Sequence, residues 1–447
     1  MNIKSLSIKD YQSFLNEAGA SYNFMQSPEF VMSYQEREDV QIYGGLEDGK
    51  VIYAVIVIFR PALKFFSYAS SPREWISLTP ELMQNEKLLK EFVEGVSKIL
   101  KSKKSLVWLV ESNVEYQPRD KNGEPVKGIF FNEPYRQMIK NLGFILSSLW
   151  RGYDEARQSR WVSWIDLQKG LPSLSQGFPI CLKNDYEMFT WEELIKEMSG
   201  NTRRSFQKAD LPYLEYKITR GDQDPDLKEF DELLEMSAEK HNFETGSEKN
   251  RLEMLKSFGP HGYLCVSYLN ISSYEYFLKT RDLELINKEK EALEVCEKMP
   301  NSKKKRNQLL EIQEQINHNQ KELNYLNELK SSVEKNKIPL AGGVFYETPG
   351  EMVYLSGGSR PDLAKYMGPY VIQKAMIHMA LEHNLRRYNF WGISGNFKPD
   401  EQGYGVFYFK KNLGATVGEY CGEFIKVLNP VFGPYYLKKI RAGKIEE

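Results

Sequence analysis

The chain has 447 residues, with 60 Lys and Arg against 61 Asp and Glu, a formal net charge of −1. That length exceeds one ordinary compact core and suits two or three domains. The balanced charge excludes a whole-protein basic field, so any nucleic-acid contact must come from local clusters of Lys and Arg.

In chain order, Met1–Asp10 lacks the apolar core of a secretory signal. Val40–Leu46 and Val51–Phe59 predict a β-hairpin through Asp48-Gly49. Val51–Phe59 is also the longest apolar run, far short of the ~20 residues that span a bilayer, so the chain is expected to be soluble. Leu82–Leu100 has helical apolar spacing, Ser105–Val110 reads as a strand, and Tyr135–Leu142 as a helix stopped by Gly143. A second α/β stretch opens near Arg160. It has strands at Trp161–Leu167, Leu214–Ile218 and Tyr263–Leu269, and helices at Trp191–Met198, Thr202–Ala209 and Leu227–Lys240.

From Tyr274 to Lys337 Gly and Pro nearly vanish. Leu309, Ile312, Ile316, Asn319, Leu323, Leu326, Lys330 and Val333 alternate by three and four, as does a weaker set at Leu283, Ile286, Lys290 and Leu293. The turn signal Met299-Pro300-Asn301-Ser302 divides them. The prediction is an antiparallel helical hairpin with ~40 Å arms, packed mainly on itself and tipped by Lys303, Lys304, Lys305 and Arg306. Beyond Pro339, Ala341–Tyr346, Met352–Leu355 and Tyr388–Trp391 read as strands, Tyr370–His383 as a helix, and Val406–Phe409 as an apolar strand that ends on Lys410. A strand–loop–helix repeat in each half suggests two related α/β units. The expected division is 1–159, completed by 420–447, for the first unit and 160–273 with 338–419 for the second; 274–337 is the coiled coil.

Cys181, Cys265, Cys296 and Cys421 lie far apart, and so do five histidines; His378 and His383 are five residues apart, not the four that puts two ligands on one helix face. Reduced thiols and no metal are expected. No G-x-x-x-x-G-K-[ST] loop occurs, nor an acyl-CoA pyrophosphate loop, and no cofactor is expected.

Six segments, in order along nearly the whole chain, resemble the Fem (FemABX) family of aminoacyl-tRNA-dependent peptidyltransferases. They are Phe24-Met25-Gln26-Ser27 with Phe30; Arg160-Trp161 with Ile165-Asp166-Leu167; Thr202-Arg203-Arg204 with Lys208-Ala209; Tyr354-Leu355-Ser356-Gly357-Gly358-Ser359 with Tyr366-Met367-Gly368-Pro369-Tyr370; Tyr388-Asn389-Phe390-Trp391-Gly392-Ile393-Ser394-Gly395; and Gly405-Val406-Phe407-Tyr408-Phe409-Lys410-Lys411 with Glu419-Tyr420 and Gly422-Glu423-Phe424. The resemblance implies tandem GNAT-like α/β units carrying an inserted coiled-coil hairpin. It implies transfer of an amino acid from aminoacyl-tRNA to the stem-peptide lysine of a lipid-linked peptidoglycan precursor, by a cytoplasmic protein in peripheral contact with the membrane. Three positions depart from the family pattern: Tyr34 where a lysine is frequent, Ser70-Ser71-Pro72-Arg73 where many members have R-G-P, and Glu111 where some have Asp.

The chemistry needs no metal or ATP, because an aminoacyl ester is already activated. The attacking amine must lose a proton, and the carbonyl becomes an oxyanion that needs a fixed donor or positive charge. The resemblance gives Lys410 that second role, with Phe409 as its wall; a solvated surface lysine is the other reading. Glu111 is a candidate base or a buried structural carboxylate, and a proton taken by the tRNA itself is equally open. Ser356, Gly357 and Gly358 form either a tight turn or a backbone cradle for a carbonyl or phosphate. Arg203 either contacts phosphate or begins a solvated helix. Tyr366 and Tyr370 fall in a matched motif and Tyr34 and Arg73 at two of the departing positions; the four complete the expected substrate site. The Lys303–Arg306 tip is either a solvated turn or a tRNA-backbone contact. Two other functions remain open, a non-catalytic scaffold that uses its coiled coil and an acyl-CoA-dependent N-acyltransferase.

Overall fold

A computed structural model describes residues 1–19, 22–127, 131–154, 156–170, 186–241, 243–332 and 335–442. Cys181 and Val333 lie outside the described residues. The strands are β1 (Asn2–Ser5), β2 (Asp39–Glu47), β3 (Lys50–Pro61), β4 (Ser67–Ser71), β5 (Trp75–Ser77), β6 (Ser105–Glu111), β7 (Ile145–Leu146), β8 (Trp161–Asp166), β9 (Leu214–Arg220), β10 (Gly262–Asn270), β11 (Lys337–Thr348), β12 (Glu351–Ser359), β13 (Arg387–Ile393), β14 (Thr416–Glu419) and β15 (Glu423–Val427). The helices are α1 (Ile8–Ala18), α2 (Pro28–Gln35), α3 (Glu86–Ser102), α4 (Glu133–Asn141), α5 (Trp191–Glu197), α6 (Gly200–Ala209), α7 (Lys228–His241), α8 (Glu248–Phe258), α9 (Ile271–Lys298), α10 (Lys303–Ser332), α11 (Gly368–Glu382), α12 (Tyr404–Asn412) and α13 (Phe432–Ile440).

Two sheets result. One runs β1-β2-β3-β4-β6-β15-β7, with β5 on β3; the other runs β14-β8-β13-β12-β11-β10-β9. Every described pairing is antiparallel except one in each sheet, β4 with β6 and β12 with β13. The same parallel pair inside an antiparallel frame, met twice, is the tandem α/β arrangement expected from the sequence. The chain end returns to the first sheet, where β15 sits between β6 and β7.

Local chemistry explains the elements. Asp48 and Gly49 take positive φ, 50° and 82°, as the tight β2–β3 turn requires. Leu89, Phe92, Val93, Val96 and Leu100 form the buried stripe of α3. Gly143, at φ 82°, follows α4.

Helices α9 and α10 form the hairpin around the Met299–Ser302 turn. Asn319 is buried on its seam and donates to the Leu278 carbonyl at 3.0 Å and to Asp282 at 3.1 Å. As the sequence suggests, the two helices pack mainly on each other, but the hairpin is not independent of the α/β body. Its root, at Tyr274, Leu278 and Leu326, shares a core with Tyr213, Leu340, Leu363 and Tyr366.

Four helices, α1, α2, α8 and α13, were not anticipated. The expected strand Val406–Phe409 is also incorrect, because these residues lie in α12. Aromatic and β-branched content imitates a strand there. Burial follows helical spacing instead, with Phe407, Lys410 and Leu413 inside and Val406 and Tyr408 outside.

Candidate active site

The first feature is the point where β12 and β13 part. They pair only from Glu351–Arg387 to Val353–Asn389. Beyond that, β12 stays with β11, and β13 stays with β8. Asn389 fixes the divergence: its amide donates to buried Glu351 at 3.0 Å, and its carbonyl oxygen accepts the Trp391 N–H at 2.8 Å. Trp391 holds a left-handed φ of 63°, which a large side chain adopts only under such constraint.

Lys410 reaches this part of β13 from α12. Its Nζ donates to the Gly392 carbonyl at 2.7 Å and the Trp391 carbonyl at 3.3 Å. The side chain is buried, and burial pushes its ammonium down to about 7. Phe409, the preceding residue, is half-buried and packs edge-on to Tyr370 at 5.7 Å; Tyr370 meets Phe206 of α6 at 5.8 Å. Phe409 and Tyr370 therefore meet, and Lys410 is the next residue of the same helix as Phe409, not of a strand.

Ser356, Gly357 and Gly358 are strand residues of β12, opposite Val344, Gly343 and Gly342. The turn reading is corrected. Close packing accounts for both glycines. A Cβ on Gly357 would lie 1.6 Å from the Tyr354 hydroxyl, and one on Gly358 would lie 2.4 Å from the Leu233 carbonyl of α7. The edge of β12 that turns away from β11 has no β13 partner beyond Val353.

The second feature is a cavity of about 540 Å³ on the first sheet, and Tyr34 and Glu111 both line it. The Phe24–Ser27 motif sets the helix that lines one side of it. Asn23 and Gln26 close a reciprocal cap, Ser27 caps α2, and the Gln26 amide donates to the Arg73 carbonyl. That sets α2, which carries Phe30 and Tyr34 with rings 4.4 Å apart. Glu111, at the end of β6, accepts the Gln158 N–H at 2.6 Å. Burial raises its carboxyl to about 7, against that hydrogen bond, and nearby Glu423 adds to the rise. Arg157, also on the wall, is buried, with Nε 3.6 Å from Glu423 and 3.4 Å from Asp154.

Other expected site residues are placed elsewhere. Arg73 is buried and does not line the cavity. It donates to the Ser112 and Ser159 carbonyls at 3.2 and 3.0 Å, and its guanidinium lies over the Trp391 and Tyr420 rings. Tyr366 is buried at the hairpin root, 5.5 Å from the Tyr274 ring. Arg203 is exposed and donates to the last carbonyls of the α5 region, Lys196 and Met198, both at 3.2 Å. Lys303, Lys304 and Arg306 are exposed at the hairpin tip, and Lys305 is half-buried. The Arg160 and Glu419 motif residues form a buried ion pair that ties β8 to β14.

Sequence reasoning missed Asn389, Trp391 and Arg157 as site residues. The first two sit inside a motif that had been noticed, and the Asn at the strand end was the available signal. Nothing in the local sequence marks Arg157. Among the described residues no cluster of His, Cys, Asp and Glu has metal-binding geometry, and no helix is long and apolar enough to cross a membrane.

Comparison with known proteins adds a consistent result. The sequence profile of the FemAB family matches residues 6–176 and 179–440. The aminoacyltransferase FemA of Staphylococcus aureus (strain MW2) is 27% identical over 446 residues, covering 99% of both chains, and the protein of that name from strain MRSA252 is equally similar. A crystal structure of FemX superposes over 98% of this chain and 100% of its own, with a TM-score of 0.72 at 18% identity.

Proposed function

The chain belongs to the FemAB family, and from that premise we propose that it is an aminoacyltransferase of peptidoglycan interpeptide-bridge synthesis. In the finer reading it takes the amino acid from aminoacyl-tRNA and the acceptor is the side-chain amine of a stem-peptide lysine on a lipid-linked precursor. The units proposed to carry this are 1–159 with 420–447, 160–273 with 338–419, and the hairpin 274–337.

The observation that carries the reading is Lys410. Among the described residues its ammonium is held by main-chain carbonyls alone, a poor compensation for buried charge that suits a cation held ready for an anion that forms during reaction. The amine nitrogen bonds to the ester carbonyl carbon, the carbonyl oxygen becomes an oxyanion, and Lys410 stabilises it. The ester C–O bond then breaks, and the ribose hydroxyl leaves with a proton. The proton lost by the attacking ammonium goes to Glu111, whose raised pKa suits a general base near neutrality.

Packing through Trp391 links the two features. Its carbonyl accepts Lys410, and its ring lies against Arg73 and, 5.0 Å away, Phe24 of the motif that sets α2. The acceptor is assigned to the cavity at Tyr34 and Glu111. The aminoacyl end is assigned to the gap at Lys410, Phe409 and Tyr370, where the unpaired edge of Ser356–Gly358 offers backbone groups. Arg203 is assigned to the tRNA side.

The hairpin tip is assigned to the tRNA backbone. Lys303–Arg306 are the first four residues of α10. Cations at a helix N-terminus oppose the helix dipole, so they detract from helix stability there and are better explained by a phosphate ligand.

The test is to incubate the protein with charged tRNA, one amino acid at a time, and a lysine-containing precursor. A mass gain of one or more residues is expected, with none when acyl-CoA replaces the tRNA. No gain with any charged tRNA would end this reading.

A further inference from the structure

One end of the first sheet carries an aromatic and basic surface that the proposed reaction does not use. Three connections meet there: residues 61–66 before β4, 102–104 before β6 and 428–431 after β15. The starts of β4 and β6 are paired at Ser67 and Ser105, and the end of β15 pairs with Val107. Hydrogen bonds join the connections: the Ser67 N–H donates to the Lys104 carbonyl at 3.3 Å, and the Leu428 N–H to the Leu106 carbonyl at 2.9 Å. The Phe66 and Phe432 rings lie 5.3 Å apart.

Large apolar side chains point outward here. Phe65 is 72% exposed, Val431 71% and Tyr435 65%. Exposed residues of this kind are ordinary when scattered, but on adjoining segments they form a patch that marks an interaction surface.

Charge separates in the same place. Residues 61–67, 101–106 and 428–442 contain six lysines and Arg441 but no Asp or Glu, in a chain whose net charge is −1. Arg441 is committed to Glu423, and Lys103 lies 3.4 Å from Asp39. Lys64, Lys104, Lys438 and Lys439 are exposed among the aromatic side chains.

We infer that this end of the first sheet docks on a lipid bilayer that bears anionic headgroups. Aromatic rings favour the interfacial layer of a bilayer, and lysines extend their ammonium groups to the phosphates while their stems stay apolar. The mixture fits lipid better than protein, because lysine is depleted from protein–protein interfaces. Helix α13 connects this surface to the cavity. Tyr436 and Ile440 line the cavity, whereas Tyr435, Lys438 and Lys439 face outward. Placing the cavity beside the bilayer matters for a lipid-linked acceptor, and that consequence rests on the proposed function; the docking itself does not.

The experiment is co-sedimentation of the full chain with vesicles of phosphatidylglycerol and phosphatidylcholine, or of phosphatidylcholine alone. Binding is expected to the anionic vesicles and to weaken with salt. Lys438→Gln with Lys439→Gln should weaken it on the order of tenfold. Phe65→Ser with Val431→Ser and Tyr435→Ser should weaken it at any salt concentration. Both variants should keep their circular dichroism and their transfer to a water-soluble acceptor. Equal binding by all three proteins, no binding by the parent chain, or self-association through the patch without vesicles would overturn the docking surface. Loss of docking with soluble transfer intact leaves the transfer reading standing, whereas docking without any transfer removes that reading alone.

Discussion

Lys410 and Glu111 are two ionisable side chains that burial moves towards neutrality from opposite directions, both to about 7. If Glu111 accepts the proton, it must be ionised, so the rate rises as pH climbs through about 7. If Lys410 stabilises the oxyanion, it must be charged, so the rate falls as pH climbs through about 7. The expected profile of kcat is a narrow bell centred near neutrality. Glu111→Gln should remove its acidic limb and Lys410→Met its alkaline limb; a Lys410→Met profile that keeps the alkaline limb would assign that limb to another group. Lys410→Met should also cost ~10²–10³ in kcat with little change in acceptor KM. Lys411→Met should be near neutral. Lys411 is half-exposed over the Phe407 ring, roughly 100° round the helix from Lys410, and not across a strand.

The hairpin is the element most separable by experiment. Its outer half, beyond Leu285 and Asn319, has no buried residue, whereas its root is embedded in a core shared with Tyr366. Replacing Lys303–Arg306 by Ser should therefore leave folding unchanged. It should weaken tRNA binding and flatten the slope of log Kd against log salt by about 3, if each lost phosphate contact accounts for ~0.7–0.9. Filter binding at several salt concentrations measures this, and an unchanged slope returns the tip to solvent. A deletion of the whole hairpin is a poor test, because Tyr274, Leu278 and Leu326 would leave Tyr213 and Tyr366 uncovered. Shortening it between Leu285 and Asn319 avoids that damage.

Across the whole molecule, Arg73 is the bolt. It lies in the connection between β4 and β5 of the first sheet, yet its guanidinium sits over Trp391 of the second sheet and bonds to the Ser159 carbonyl ahead of β8. Arg73→Met should strand one buried and one part-buried carbonyl and lose two cation–π contacts, a destabilisation of about 2–4 kcal/mol. Thermal unfolding should show a lower midpoint, and transfer should fall further than Lys303–Arg306 substitution lowers it. Unaltered stability would mean that the two sheets are held by other contacts.

The sequence by itself determined most of the elements, because hydrophobic period, turn residues and caps are local properties. The Asp48-Gly49 turn, the α3 stripe and the Met299–Ser302 hairpin turn needed no partner to be read. It also determined the family, through motifs whose order survives along the chain. Only tertiary structure decided which residues face a cavity. Tyr366 falls in a motif as plausible as that of Lys410, and Arg73 in a stretch set against the family's R-G-P, but whether an Arg points into a pocket or bridges two sheets depends on residues far away, such as Trp391 and Ser159. The helix at Tyr404–Asn412 was illegible for the same reason. Its aromatic run satisfies strand propensity locally, and only the buried positions of Phe407, Lys410 and Leu413 against the second sheet select the helical period.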